Sequence, residues 1–140
     1  MEKPKAVADA SVVAKWFLDE RYSEEARLLR DSFAKGEIAL AVPSLLFYET
    51  LNALRYTDLY TEDELASVAR ALGQYGFDVW EPSGEVYEEI ARMSIKQGIT
   101  VYDAAYVALA AHLSAPLYTV DAELIDKDLT QHIKNFKAKA

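Results

Sequence analysis

Short apolar runs alternate along this chain with longer segments in which apolar positions recur every three or four residues. The runs at 5–9, 38–42, 77–80 and 116–120 have the length and composition of strands. The longer segments have helical spacing. Residues 11–18 form a short apolar one. Ser23 is placed to cap the next, with Glu24 and Glu25 in its first turn, Ala26, Leu29 and Phe33 as its stripe, and Gly36 to end it. Pro43 sits where a third helix can begin, running to about Arg55. Thr61-Glu62-Asp63-Glu64 is a capping-box pattern before Leu65, Val68 and Leu72, with Gly73 and Gly76 bracketing the end. Pro82-Ser83 introduces a helix carrying Val86, Ile90 and Met93 and closed at Gly98, and Thr100 to Asp103 open another that ends near Leu113. A short helix is expected around Leu124 and Ile125, and a last edge strand over 132–136.

Strands separated by helices predict an α/β chain with a mostly parallel sheet and helices on both faces. The length of 140 residues fits a single domain, 1–140, and 51% hydrophobic residues fit an ordinary core. No repeat or low-complexity tract interrupts it. In such sheets ligands bind outside the carboxyl ends of the strands, and this rule decides where to look for chemistry.

Four acids meet that rule or break the local pattern. Asp9 ends the first strand, Asp121 follows the fourth, and Asp103 lies in the first turn of a helix. Glu49 interrupts the apolar helix Leu45-Leu46-Phe47-Tyr48-Glu49-Thr50-Leu51-Asn52-Ala53-Leu54, on the face shared with Asn52 and beside the stripe of Leu46, Thr50 and Leu54. Each has a plain alternative: Asp9 and Asp121 as helix or turn caps, Asp103 as the partner of Thr100 in a capping box, Glu49 on a solvated face. Drawn together, they would raise one another's pKa, a penalty that a hard divalent cation removes. Such a cation acidifies water and clamps a phosphodiester without any serine, histidine or cysteine nucleophile. Ser11 and Thr119 are candidate hydroxyls for orienting the acids or water.

Other chemistries find less support. The chain has no cysteine, which removes disulfides and thiolate sites and suits a reducing cytoplasm. His112 and His132 lack paired metal spacing, and no Walker loop, dinucleotide fingerprint or G-x-S-x-G elbow is present. No secretory signal is expected at the charged start, and the longest wholly apolar stretch, 104–111, is far below membrane-spanning length. A net charge of −8 is unusual for a protein that handles phosphates. Lys15, Arg21, Arg55 and Lys96 are the candidate phosphate contacts. The nine tyrosines offer possible stacking surfaces, with core packing as the default. Trp16, Phe17 and Tyr22 serve equally as core or as an apolar interface.

Four segments carry a resemblance. Ala6-Val7-Ala8-Asp9-Ala10-Ser11-Val12-Val13, the Pro43 to Leu54 segment with Glu49, Thr100-Val101-Tyr102-Asp103-Ala104-Ala105-Tyr106, and Leu117-Tyr118-Thr119-Val120-Asp121 resemble, in order, the acidic segments of PIN domains. The resemblance implies a three-layer α/β/α fold and Mg²⁺- or Mn²⁺-dependent cleavage of single-stranded RNA by Asp9, Glu49, Asp103 and Asp121. Ser11, Asn52 and Thr119 are expected to support them. At this size the chain looks like a VapC-type toxin, which implies a homodimer silenced by a small antitoxin. Ala10 departs from the pattern, where many relatives carry a hydroxyl residue. A catalytically idle interaction module, and a metal-dependent phosphatase or DNA nuclease, are the competing expectations.

Overall fold

The computed structural model describes residues 2–138. Its elements run β1 (Lys5–Ala8), α1 (Ala10–Val13), α2 (Ser23–Ala34), β2 (Ala39–Pro43), α3 (Leu45–Arg55), α4 (Glu62–Gln74), β3 (Asp78–Trp80), α5 (Gly84–Gln97), α6 (Val101–Leu113), β4 (Leu117–Thr119) and β5 (Thr130–His132). The sheet has the order β3-β2-β1-β4-β5, and every neighbouring pair is parallel. Six helices flank it in the expected α/β/α arrangement: α5 packs on α6, while α1 packs on α2 and α3, and α3 on α4. The chain order turns back at β1, which has β2 on one side and β4 on the other. That switch point is where a parallel sheet opens a crevice at its carboxyl edge.

Burial explains the pattern of the strands. β1 buries Ala6, Val7 and Ala8 completely, and Leu40 and Val42 of β2 do the same beside it. The middle of α6, from Ala104 to Ala110, is apolar on every side, as a buried helical segment must be. Ala104, Tyr106, Ala108, Leu109 and Ala110 are each at most 1% exposed. Its alanines let the helix lie close against β1 and β2, so the backbone of α6 fixes the height of Asp103 above the sheet. The capping box on α4 forms in both halves: Thr61 Oγ1 accepts from the Glu64 amide, and Glu64 Oε1 accepts from the Thr61 amide.

Several local expectations are corrected. Residues 11–18 do not make one helix. α1 tightens into a 3₁₀ turn at Ala14–Trp16 and stops there. Ser23 is inside α2 rather than its cap, because Tyr22 takes a left-handed conformation (φ 70°) and Ser23 Oγ instead donates to the Leu18 carbonyl and accepts from the Glu20 amide. Pro43 is the last residue of β2, opposite Trp80, and α3 starts after Ser44. Leu124 and Ile125 lie in successive turns, with the Leu124 amide on the Asp121 carbonyl and the Lys127 amide on the Leu124 carbonyl. The final edge strand is Thr130–His132 rather than 132–136, because its register pairs those residues with Leu117–Thr119, the three that β4 offers. Ile133–Asn135 then turn as a 3₁₀ helix. Trp16 is 3% exposed and stacks on Phe77 at 5.9 Å. Phe17 and Tyr22 pack partly buried against the same core, so all three residues contribute to the interior. Among the described residues, no helix is long and apolar enough to cross a membrane.

Overpacking α6 should be costly. Ala108→Leu is expected to destabilise the fold by about 1–3 kcal/mol, read as a lower denaturant midpoint at unchanged slope. An unchanged midpoint would mean that α6 does not sit tightly on the sheet.

Candidate active site

The carboxyl end of β1 delivers Asp9 to the switch point. Its amide bonds to the Tyr118 carbonyl of β4, and its backbone turns extended (φ −87°, ψ 174°) to cap α1. One carboxylate oxygen accepts from the Val12 amide at 3.3 Å and from Ser11 Oγ at 2.5 Å. Ser11 Oγ also accepts from the Val120 amide and lies 3.4 Å from Thr119 Oγ1. Thr119 Oγ1 in turn accepts from the Asp121 amide at 3.0 Å. The two hydroxyls expected to support the acids therefore stitch the end of β1 to the end of β4. Asp9 is only 5% exposed. Burial pushes its carboxyl up to about 6, against the opposing hydrogen bonds from Ser11, Thr119 and Val12, and the charge of Asp103 adds to the rise.

Two helices bring the other acids. Glu49 projects from α3, whose Leu46, Thr50 and Leu54 are fully buried as their spacing predicts. The Tyr106 hydroxyl donates to Glu49 Oε1 at 2.8 Å. Burial raises the Glu49 carboxyl, Tyr106 opposes the rise, and Asp103 and Asp9 add to it. Asp103, in the first turn of α6, is also raised by burial, with Thr100 opposing and Asp121 and Glu123 adding. Thr100 Oγ1 accepts from the Asp103 amide, but the reciprocal half of a capping box is not formed. The Asp103 carboxylate is left for the cluster. Burial and the neighbouring Glu49 hold the Tyr106 phenol far above its usual pKa, so it remains a donor at any physiological pH.

Asp9, Glu49 and Asp103 thus sit within one another's fields, and Asp121 joins through Asp103. Asp121 also has a local task, since its Oδ1 accepts from the Glu123 amide. Asn52 lies one turn beyond Glu49 on a cleft wall and makes no side-chain hydrogen bond to the acids. Two participants were not anticipated. Tyr106 follows Asp103 by three residues, a spacing that places both on one helix face and was available as a signal. Glu123 comes from a turn with no such mark.

The four candidate phosphate contacts have surroundings of their own. Lys15 is buried and paired with Glu20 at 2.7 Å. Arg21 lies over the Tyr22 ring, Arg55 over Tyr56 and near Asp58, and Lys96 is in the last turn of α5. None is among the groups that shift the three carboxylates. His112 is a helix residue facing Glu89, and His132 Nδ1 accepts from the Lys134 amide.

The profile of the PIN domain family matches residues 6–129. The chain belongs to the PIN-domain family. A relative from Pyrobaculum aerophilum, "Ribonuclease VapC3", is 33% identical over 127 residues, covering 88% of this chain and 94% of that protein. A second from the same organism, "Exonuclease VapC9", is 31% identical over 99 residues, covering 69% and 73%. Among solved structures, PAE2754 from P. aerophilum superposes with a TM-score of 0.68 at 27% identity, over 96% of this chain and 92% of that one.

The PIN-domain resemblance implies a divalent cation, and the donor set fits one. The donors are carboxylate oxygens held by hydroxyls and amides, the groups that shift them include no lysine or arginine, and their burial cost is one that a cation relieves. Among the described residues no three His, Asp or Glu side chains already form a cage for one ion. A Mg²⁺-like ion does not require a cage, because it keeps several waters and binds through one or two carboxylates.

Asp9 predicts a pH-dependent stability. Its raised carboxyl means that the folded chain holds the proton more tightly than the unfolded one, so stability falls as pH rises from 3.8 to about 6. In EDTA, wild type should lose up to roughly 3 kcal/mol relative to Asp9→Asn across that window, with a constant difference outside it. Denaturant midpoints at about pH 4 and about pH 7 measure this, and parallel profiles would refute it.

Proposed function

We propose that this chain is a metal-dependent ribonuclease acting on single-stranded RNA, the toxin half of a toxin–antitoxin pair. The observation that carries the reading is the convergence of Asp9, Glu49 and Asp103 at the switch point of the sheet, in a chain 33% identical over most of its length to a VapC ribonuclease. Bound Mg²⁺ or Mn²⁺ supplies positive charge for the phosphate and acidifies water there.

The chain's own residues have distinct tasks in this reading. Asp9 and Asp103 hold the cation, with Asp121 completing the negative rim. Ser11 and Thr119 fix the Asp9 carboxylate by hydrogen bonds and tie it to the Asp121 backbone. Tyr106 orients Glu49 and leaves its second oxygen free. Burial raises this carboxyl and so strengthens it as a base, and we assign Glu49 to hold the proton lost by the attacking water. Hydrolysis then forms one P–O bond from water and breaks another, and the leaving oxygen takes up a proton. Asn52 is placed for the RNA rather than for the acids.

The wider setting extends the same resemblance: one nuclease domain, a homodimer, a cognate antitoxin and a cytoplasmic location. The name of the second relative, an exonuclease, favours an alternative in which cleavage starts from an RNA end.

A circular single-stranded RNA separates these possibilities. With Mn²⁺, wild type should linearise it, and Asp9→Asn and Asp103→Asn should each lose about 100-fold or more while keeping wild-type helical ellipticity. Tyr106→Phe should lose about tenfold, as expected for a residue acting through its neighbour. Cleavage of linear RNA alone would favour the exonuclease. Cleavage that survives both aspartate substitutions, or no cleavage of any RNA, would overturn the proposal.

A further inference from the structure

Two tyrosines stand exposed beside the carboxylates. Tyr48, next to Glu49 on α3, is 79% exposed, and Tyr102, next to Asp103 in the first turn of α6, is 62% exposed. Among the described residues neither ring is paired with another aromatic, unlike the core-packed set of Trp16, Phe33, Tyr75 and Phe77. With Leu45, Glu49 and Asn52 they line an open cleft of about 570 Å³. Glu49 belongs both to this cleft and to the acid cluster, so the two share a wall.

We propose that the cleft between Tyr48 and Tyr102 binds unpaired nucleobases of the RNA by stacking, and so places the adjoining phosphate at the acids. The inference rests on the ribonuclease reading and adds where and how the substrate is gripped. Charge argues for it. The chain carries 23 acidic against 15 basic residues, and the cleft is lined by no lysine or arginine. Affinity for RNA normally comes from cations that displace counterions from phosphates, and here that source is missing where the substrate must lie. Stacking on an aromatic face needs no charge, tolerates any base, and requires single strands whose bases are free. Asn52 adds an unengaged amide, with donors and an acceptor for a base edge. The apolar surface continues from Tyr102 into a second cavity of about 240 Å³ lined by Trp80, Tyr87 and Ile90, which gives a following base a further ring.

The test uses the full chain with a fluorescein-labelled single-stranded RNA and a ribose-phosphate oligomer of equal length that lacks bases. Tyr48→Ala and Tyr102→Ala should each raise KM and Kd for the RNA by about tenfold, with a smaller change in kcat, and the Phe substitutions should restore both constants. Wild type should bind the abasic oligomer about as weakly as the Ala variants bind RNA. Ala variants with unchanged KM and Kd, or equal wild-type affinity for the abasic oligomer, would overturn the stacking cleft while leaving the ribonuclease intact; a protein segment would then be the better occupant. Failure of wild type to bind or cleave any RNA would overturn both.

Discussion

The carboxylates of Asp9, Glu49 and Asp103 lie within one another's electrostatic reach at the edge of a parallel sheet, and the groups that shift them include no lysine or arginine. Packed anions of this kind are costly, because burial and mutual repulsion both favour the protonated forms. The fold carries that cost through rigidity. β1 is buried from Ala6 to Ala8 just before Asp9, α6 presses its alanines onto β1 and β2, and α3 is anchored by Leu46, Thr50 and Leu54. The hydrogen bonds from Ser11, Thr119 and Tyr106 reduce the penalty without cancelling it. A cation bound there, as the proposed reading has it, would relieve that repulsion and so link metal affinity to folding stability.

The absence of lysine and arginine among the groups that shift these acids fits the same constraint. Lysines or arginines placed among the acids would satisfy them and displace the cation. Several of the cations that the chain does carry are engaged with partners of their own, as Lys15 is with Glu20 and Arg27 with Asp19. In the proposed reading, recognition of RNA would then rest on the bound cation and on contacts that are insensitive to charge.

Much of this was legible in the sequence where the signal is local. An apolar run ending in Asp9 marks a buried strand with an acid at its carboxyl end, and Thr61 with Glu64 formed the capping box their spacing predicts. Glu49 stood out because it lies among Leu46, Thr50 and Leu54, all buried. What escaped depends on backbone conformation or on distant partners. The left-handed turn at Tyr22 carries Ser23 into α2 instead of leaving it at the cap. The Tyr106 hydroxyl reaches a carboxylate 57 residues away, so its apolar surroundings concealed a polar task. The edge strand β5 was misplaced because its length is set by β4 rather than by its own residues. The grouping of the four acids was inferred from the sheet rule and the PIN-domain resemblance, and no spacing in the chain fixes it.

Cation binding should be coupled to proton release, because metal and proton compete for the same carboxylates. Titration calorimetry of Mn²⁺ into the wild-type chain, repeated in buffers of different ionisation enthalpy, reads that coupling directly. Near pH 6 the account predicts release of about half a proton per ion from Asp9, falling toward zero by about pH 8 and absent in Asp9→Asn. Binding that releases no proton at any of these pH values, or no binding at all, would contradict it.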